Sequence, residues 1–298
     1  MIKYIIKGHL IILSAGLCGS GLSAQSLLYN YDFNDVANAT SAVSTGSNTT
    51  PALFNGAATR GSDGSGVSGL TGDYAFDLSA TDGMGNNSTT NIDIAGSASS
   101  ASGASGFNGS TSFTFTGWYK ADTAIGGFAR VFQIGSYDTI YFSGADALTG
   151  AFRVGDGSSG TQSYAATNAM LDATTEWVFI ALTYDGTTGA TSIYGGNTST
   201  SVSLLATDNV GVNTVFTNSE SIVIGNSSSF NRPFDGLLDD IRTYTDGGLN
   251  DASGALSLAQ LEVVRSSAVI PEPGTTAMLS GLGVLLMVFA RRRRSVTK

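Results

Sequence analysis

Between residues 27 and 244 the chain is a succession of short runs in which apolar or aromatic side chains alternate with small polar ones, nearly every gap holding Gly, Asn or Asp. The clearest is Ser112–Tyr119, Ser-Phe-Thr-Phe-Thr-Gly-Trp-Tyr. There Phe113, Phe115 and Gly117 project to one side and Thr114, Thr116 and Trp118 to the other. Similar runs recur at Leu27–Phe33, Tyr74–Leu78, Arg130–Gly135, Thr139–Ser143, Ala151–Val154, Trp177–Tyr184, Thr191–Tyr194, Val202–Leu205, Ser221–Gly225 and Gly236–Tyr244. A two-residue period buries one face of a sheet and no face of a helix, and the intervening residues enter turns at little cost. The chain is therefore expected to be all-β, a sandwich or a barrel. Residues 38–70 and 82–110 are rich in Ser, Thr, Gly and Asn and carry little apolar periodicity. They are expected to be long surface loops or local disorder between strands. Ser159–Ser163 reads as a polar loop, and Leu256, Leu258, Leu261 and Val264 space as one face of a short helix.

The two ends have a different character. Lys3 and Lys7 precede an apolar run from Leu10 to Leu17, and small residues then lead to Leu22-Ser23-Ala24. That run is too short to anchor stably in a hydrocarbon core of roughly 30 Å. It reads as a secretory signal peptide over residues 1–24, cut after Ala24. The only cysteine, Cys18, and the only histidine, His9, leave with it. Disulfide staples, a His base, a thiol nucleophile and zinc sites built on imidazole or thiolate are thereby excluded from the mature chain.

Removing the ends also sharpens the charge. All 23 acidic residues lie within residues 25–273, against seven of the 14 basic ones, a net −16. Such a chain repels phosphate backbones, so nucleic acid is not an expected partner. Calcium or a neutral polysaccharide suits it better. The roughly 240 residues left between the signals are ordinary for one large β domain.

At the C-terminus, Val-Ile-Pro-Glu-Pro-Gly is followed by an apolar run, 275–290, and by Arg291, Arg292, Arg293 and Arg294. Pro271 and Pro273 keep the backbone extended and free of ladder donors, which suits a processing enzyme. The apolar run of about 16 residues would rise roughly 24 Å as a helix, marginal for crossing a bilayer. The four arginines would hold its far end on the cytoplasmic side. This three-part tail resembles the PEP-CTERM sorting signal that exosortase-type membrane enzymes recognise. The resemblance implies that residues 267–298 are a sorting segment with Pro271, Glu272 and Pro273 as its motif. It further implies an exported protein, transiently anchored in the inner membrane by a transmembrane helix and then delivered to the cell surface or extracellular matrix.

Three segments of the middle occur in a fixed order: Phe113–Ala121, Trp177–Gly186 with its closing Tyr-Asp-Gly, and Ile224-Gly-Asn leading to Phe234–Tyr244. Together they resemble the laminin-G-like, concanavalin A-like jelly-roll superfamily. The implied fold is a two-sheet antiparallel jelly-roll sandwich over residues 25–266, with Trp118 in the core. Members often hold one ion at the rim, using an acidic residue from the loop after the first strand and one from an Asp-Asp pair. Here that implies a Ca²⁺ site at Asp35 with Asp239 or Asp240; the other reading is that Asp239 or Asp240 pairs with Arg242 or simply faces water. Glycoside hydrolases of this fold use paired carboxylates. Glu176, Glu220, Glu262 and Glu272 are far apart and form no Glu-x-Asp-x-Glu pattern, so the chain is read as non-enzymatic. Tyr137, Tyr141, Tyr164 and Phe230 are the aromatics beside loops on which a sugar ring could stack. The expected function is glycan binding or adhesion, with a structural matrix protein second and a hydrolase third.

Overall fold

The computed structural model describes residues 25–38, 40–56, 58–78, 91–94, 110–122, 129–134, 138–141, 148–154, 161–167, 176–209, 211–212, 222–227 and 232–269. The expected signal peptide, residues 1–24, and the tail from residue 270 onward lie outside the described residues, as do Tyr137, Glu220 and Phe230.

The chain begins with β1 (Ser26–Tyr31), β2 (Ser41–Ala42), β3 (Ala52–Asn55), β4 (Thr59–Arg60), β5 (Phe76–Asp77) and β6 (Asn91–Ile94). It continues through β7 (Ser112–Ala121), β8 (Arg130–Ile134), β9 (Asp138–Tyr141), β10 (Leu148–Val154) and β11 (Thr161–Thr167). It closes with β12 (Val178–Asp185), β13 (Ala190–Asn197), β14 (Ser203–Asn209), β15 (Ile222–Ile224), β16 (Gly236–Thr245) and one α-helix, α1 (Leu258–Val269). The first sheet runs β14-β13-β12-β7-β16-β5-β4, with β1 also paired to β16, and the second runs β2-β3-β6-β15-β8-β9. Every described pairing is antiparallel. The expected sandwich is what the chain forms, and each alternating run contains a strand.

The period-two pattern of β7 decides how the layers stack. Phe113, Phe115 and Tyr119 face the second sheet in a core shared with Val131, Phe132, Ile222 and Ile224. Phe115 and Phe132 stack across it with ring centroids 4.0 Å apart. Trp118 points the opposite way, into a second apolar layer with Phe179, Val67, Leu261 and Val264 on the outer face of the first sheet. That outer layer is roofed by α1 and by the loop preceding β5. Ser257 caps the helix: its Oγ accepts from the Gln260 N–H and the Gln260 Oε1 accepts from the Ser257 N–H at 2.8 Å. Leu256, Leu261 and Val264 are buried beneath it, whereas Leu258, on the first turn, is 45% exposed.

Three local readings change. The segment 159–163 is no loop in its second half, because Thr161–Thr167 pairs residue for residue with β10. Residues 38–70 carry β2, β3 and β4. Their order comes from long-range polar ties that periodicity does not report. Arg60 alone donates to the carbonyls of Phe33, Asn38 and Ser41. Finally, α1 continues through Val269, past the expected end of the domain at 266.

Candidate functional site

The site arises from an interruption in β16. One edge of that strand is shared by two partners: Leu237 and Leu238 pair with β5, and Ile241–Thr245 pair with β1. Asp239 and Asp240 fall in the gap between them. On the other edge, against β7, Asp239 lies opposite Trp118 and Arg242 opposite Thr116, so Asp240 and Ile241 together face Gly117. This extra residue makes a β-bulge, a device that re-aims side chains and sharpens local twist. Asp240 takes the strain, with φ at +47°. Gly117 leaves room there: a Cβ on it would sit 2.6 Å from Ile241 Cδ1, and that side chain would have to shift.

The bulge gives the paired aspartates different partners. Asp239 is 3% exposed, and its two oxygens accept the backbone N–H groups of Val67 (2.9 Å) and Asp240 (2.7 Å). It therefore pins the loop before β5 to the sheet. Asp240 is 5% exposed. Arg242 Nε and Nη2 both donate to its Oδ1, at 2.9 and 2.8 Å. Its Oδ2 is closed to water and has no hydrogen-bond donor. Burial pushes the Asp239 carboxyl well above the usual carboxylate range, with the neighbouring Asp240 and Asp73 adding to it. Burial raises Asp240 too, although Arg242 works against it and Asp32 and Asp73 reinforce it. For Arg242, burial alone would lower the guanidinium; Asp240 and Tyr244 outweigh it and raise it.

These residues form part of the wall of a cleft of about 390 Å³. Asp32 and Asn34, just beyond β1, form another part of the wall, and Ser68 to Asp73 a further one. Ser267 and Ala268, from the last turn of α1, complete the lining. The surrounding loops are tightly fastened. Asp32 Oδ1 accepts the Asn34 N–H at 3.1 Å, and Asn34 Oδ1 accepts the Tyr74 N–H at 2.8 Å. Asp73 Oδ2 accepts both the N–H and the hydroxyl of Ser68 at 2.7 Å. Gly66 makes room for that carboxylate, because a Cβ there would collide with it.

The structure thus brings Asp239 and Asp240 together and leaves Asp35 elsewhere. Asp35 closes its own turn, accepting the Ala37 N–H and the Asn38 side-chain amide. Asp32 and Asp73 occupy the cleft instead. Their only signal in the sequence is position, at the exit of the first strand and at the approach to the second aromatic run, and acidic side chains are too common in this chain for position alone to single them out. Among the described residues no group of three or more acidic, imidazole or thiol side chains is arranged to hold a metal ion. Of the glutamates, Glu176 accepts from Asn197, and Glu262 holds Arg265 and the Val202 N–H. Of the candidate stacking aromatics, Tyr141 belongs to β9 and Tyr164 to β11.

The family model of the Concanavalin A-like lectin/glucanases superfamily (Laminin_G_3) matches residues 89–250, just over half of the chain. The chain belongs to this superfamily. The PEP-CTERM protein-sorting motif matches residues 269–294, which marks the protein as exported, transiently membrane-anchored and processed by an exosortase. No curated protein matches the chain. Among solved structures, the binding domain of botulinum neurotoxin serotype C1 is similar at a TM-score of 0.53 and 10% identity, covering 83% of this chain and 53% of that one. At that identity the likeness is one of fold. The carbohydrate-binding module CBM40 of the Ruminococcus gnavus IT-sialidase, bound to α2,3-sialyllactose, aligns at a TM-score of 0.43 with 17% identity over 59% of this chain and 92% of that one. A heptameric SAP-like pentraxin from Limulus polyphemus aligns at 0.39 with 16% identity over 52% of this chain and 70% of that one.

Proposed function

We propose that the protein is a surface or matrix component whose lectin-like domain binds glycan, or mediates adhesion through glycan, without cleaving it. The observation that carries the reading is the polar cleft itself: Asp32, Asn34, Ser68 and Asp73 line it in front of Asp240, a buried carboxylate on a strained bulge whose Oδ2 is closed to water and has no donor. Burying a charged oxygen without a donor is costly, and the strained bulge sets that charge directly behind the cleft wall. Sugar hydroxyls are suitable donors, and Asp32, Asn34, Ser68 and Asp73 supply the polar partners at the cleft. Catalysis is not favoured. Both oxygens of Asp239 are committed to backbone N–H groups, which leaves that carboxyl badly placed to pass a proton to a glycosidic oxygen.

A calcium ion would suit the same acidic wall. It would use the half-buried Asp32 or Asp73, with the Asp240 charge behind them and with backbone carbonyls and water in the remaining positions. Bound there, it would supply a positive centre for sugar hydroxyls. The test is an array of bacterial and algal polysaccharides probed with the full chain in detergent, with calcium and with a chelator. Saturable binding with no sugar released supports the reading, and dependence on calcium adds the ion to it. Absence of saturable binding under both conditions leaves a structural matrix protein.

A further inference from the structure

The charge lining the cleft is unbalanced, and this restricts what it can hold. Asp32 and Asp73 line it half-buried, Asp239 sits buried behind them, and Asp240 is paired with Arg242, the one cationic side chain among the lining residues. Arg242 is already engaged: two of its nitrogens converge on Asp240 Oδ1. Asp239 is answered by backbone N–H groups, which carry no net charge. Asp240 Oδ2 lies closed to water behind the wall, without a donor, so its field reaches the cleft through a medium that screens it weakly. Asp32 and Asp73 stand half-buried in the lining and reinforce that field. A carboxylated or sulfated sugar would be repelled. A neutral sugar would donate hydroxyls but leave the charge uncancelled. An ammonium group brings three N–H donors and a positive charge in one small unit. Leu70, 47% exposed in the lining, offers apolar surface to the C–H face of a sugar ring.

We propose that the cleft selects a glycan unit bearing a protonated primary amine, the chemistry of a de-N-acetylated hexosamine. The inference rests on the glycan-binding reading and adds the charge of the unit bound. It is tested by calorimetric titration of the full chain in detergent with an oligomer of glucosamine and with the fully N-acetylated oligomer of the same length. The free-amine oligomer binds at least about tenfold more tightly, as one charge-assisted hydrogen bond implies. Its affinity falls with added salt and disappears above the pKa of the amine. Asp240→Asn and Asp32→Asn each weaken it by about tenfold and shift the N-acetylated oligomer by less, so that the ratio of the two affinities falls. Asp32→Asn guards against misfolding, since the new side chain keeps an acceptor for the Asn34 N–H. Equal affinity for the two oligomers overturns the inference and leaves the glycan reading standing. Binding of the N-acetylated oligomer alone, and only with calcium, overturns it in favour of a metal-bridged site. Failure of both oligomers to bind, with or without calcium, removes the inference together with this cleft as a glycan site.

Discussion

Asp185 and Asp240 lie on neighbouring parts of the same sheet, and the fold treats them oppositely. Asp185 ends β12, where its carboxylate accepts the Thr187 N–H at 2.9 Å and the hydroxyls of Thr187 and Thr188 at 2.6 and 2.8 Å. Burial would raise its carboxyl, but these hydrogen bonds outweigh it and hold the group below the usual range. Everything Asp185 needs comes from within three residues. Asp240 is buried on a bulge, shares one oxygen with Arg242 and finds nothing for the other. A turn aspartate is completed by its own neighbours, whereas the cleft aspartate keeps one oxygen unanswered. Acidity is common to both; the hydrogen-bond set is what separates them.

The comparison can be broken first at Asp239, which holds the cleft together. Asp239→Ala removes the acceptor of two buried N–H groups and is expected to lower the unfolding free energy by about 2–4 kcal/mol in a denaturant titration. A loss below about 1 kcal/mol would mean that the loop before β5 is anchored by other means.

Acidity offers the next test, because the two kinds of aspartate respond with opposite sign. Asp239 and Asp240 have folded-state pKa values above their unfolded ones. Their stabilising contribution is full below the ordinary carboxylate pKa and is lost as pH rises through the raised values. Asp185 is depressed, so its contribution is present above the ordinary value and is lost as pH falls through the lowered one. The melting temperature should therefore rise on moving from neutral to mildly acidic buffer and fall again in stronger acid. Asp240→Asn should flatten the rise, although Asp32, Asp73, Arg242 and Tyr244 share the same field, and Asp185→Asn should flatten the fall. A monotonic loss of stability from neutral pH downward would contradict the assignment.

Asp185→Ala is expected to cost about 1 kcal/mol at neutral pH, the value of a local side-chain turn that water can partly replace. The smallest effect belongs to Asp35. Asp35→Asn should change stability by no more than about 0.5 kcal/mol and leave any calcium-dependent shift in melting temperature intact. A calcium response lost with Asp35 and kept in Asp240→Asn would move the ion site out of the cleft.

What the sequence disclosed and what it concealed divide along a physical line. Phe113, Phe115 and Trp118 announced their opposite faces because strand geometry is a two-residue repeat, and Leu261 and Val264 announced α1 in the same way. The Asp239–Asp240 pair was visible as two adjacent acids directly after Leu237 and Leu238 in one strand. The bulge beneath it was not, because it depends on Gly117 of another strand and on where β1 and β5 divide the edge of β16. Asp32 and Asp73 were hidden for the same reason. Their own side-chain hydrogen bonds are local, to Asn34 and Ser68, and what brings them to one cleft is the seating of their loops by ties such as Val67 N–H to Asp239, which spans 172 positions. The segment 38–70 looked featureless because its order is held by Arg60 and by backbone carbonyls, neither of which leaves a periodic trace.

The last turn of α1 joins two events that are otherwise separate. Ser267 and Ala268 are both cleft wall and the final stretch of the domain before the sorting motif. Ser267 stands four residues before Pro271, a distance that an extended chain covers in at most about 14 Å. Whatever holds the motif therefore also sets how far the cleft wall can stand from it.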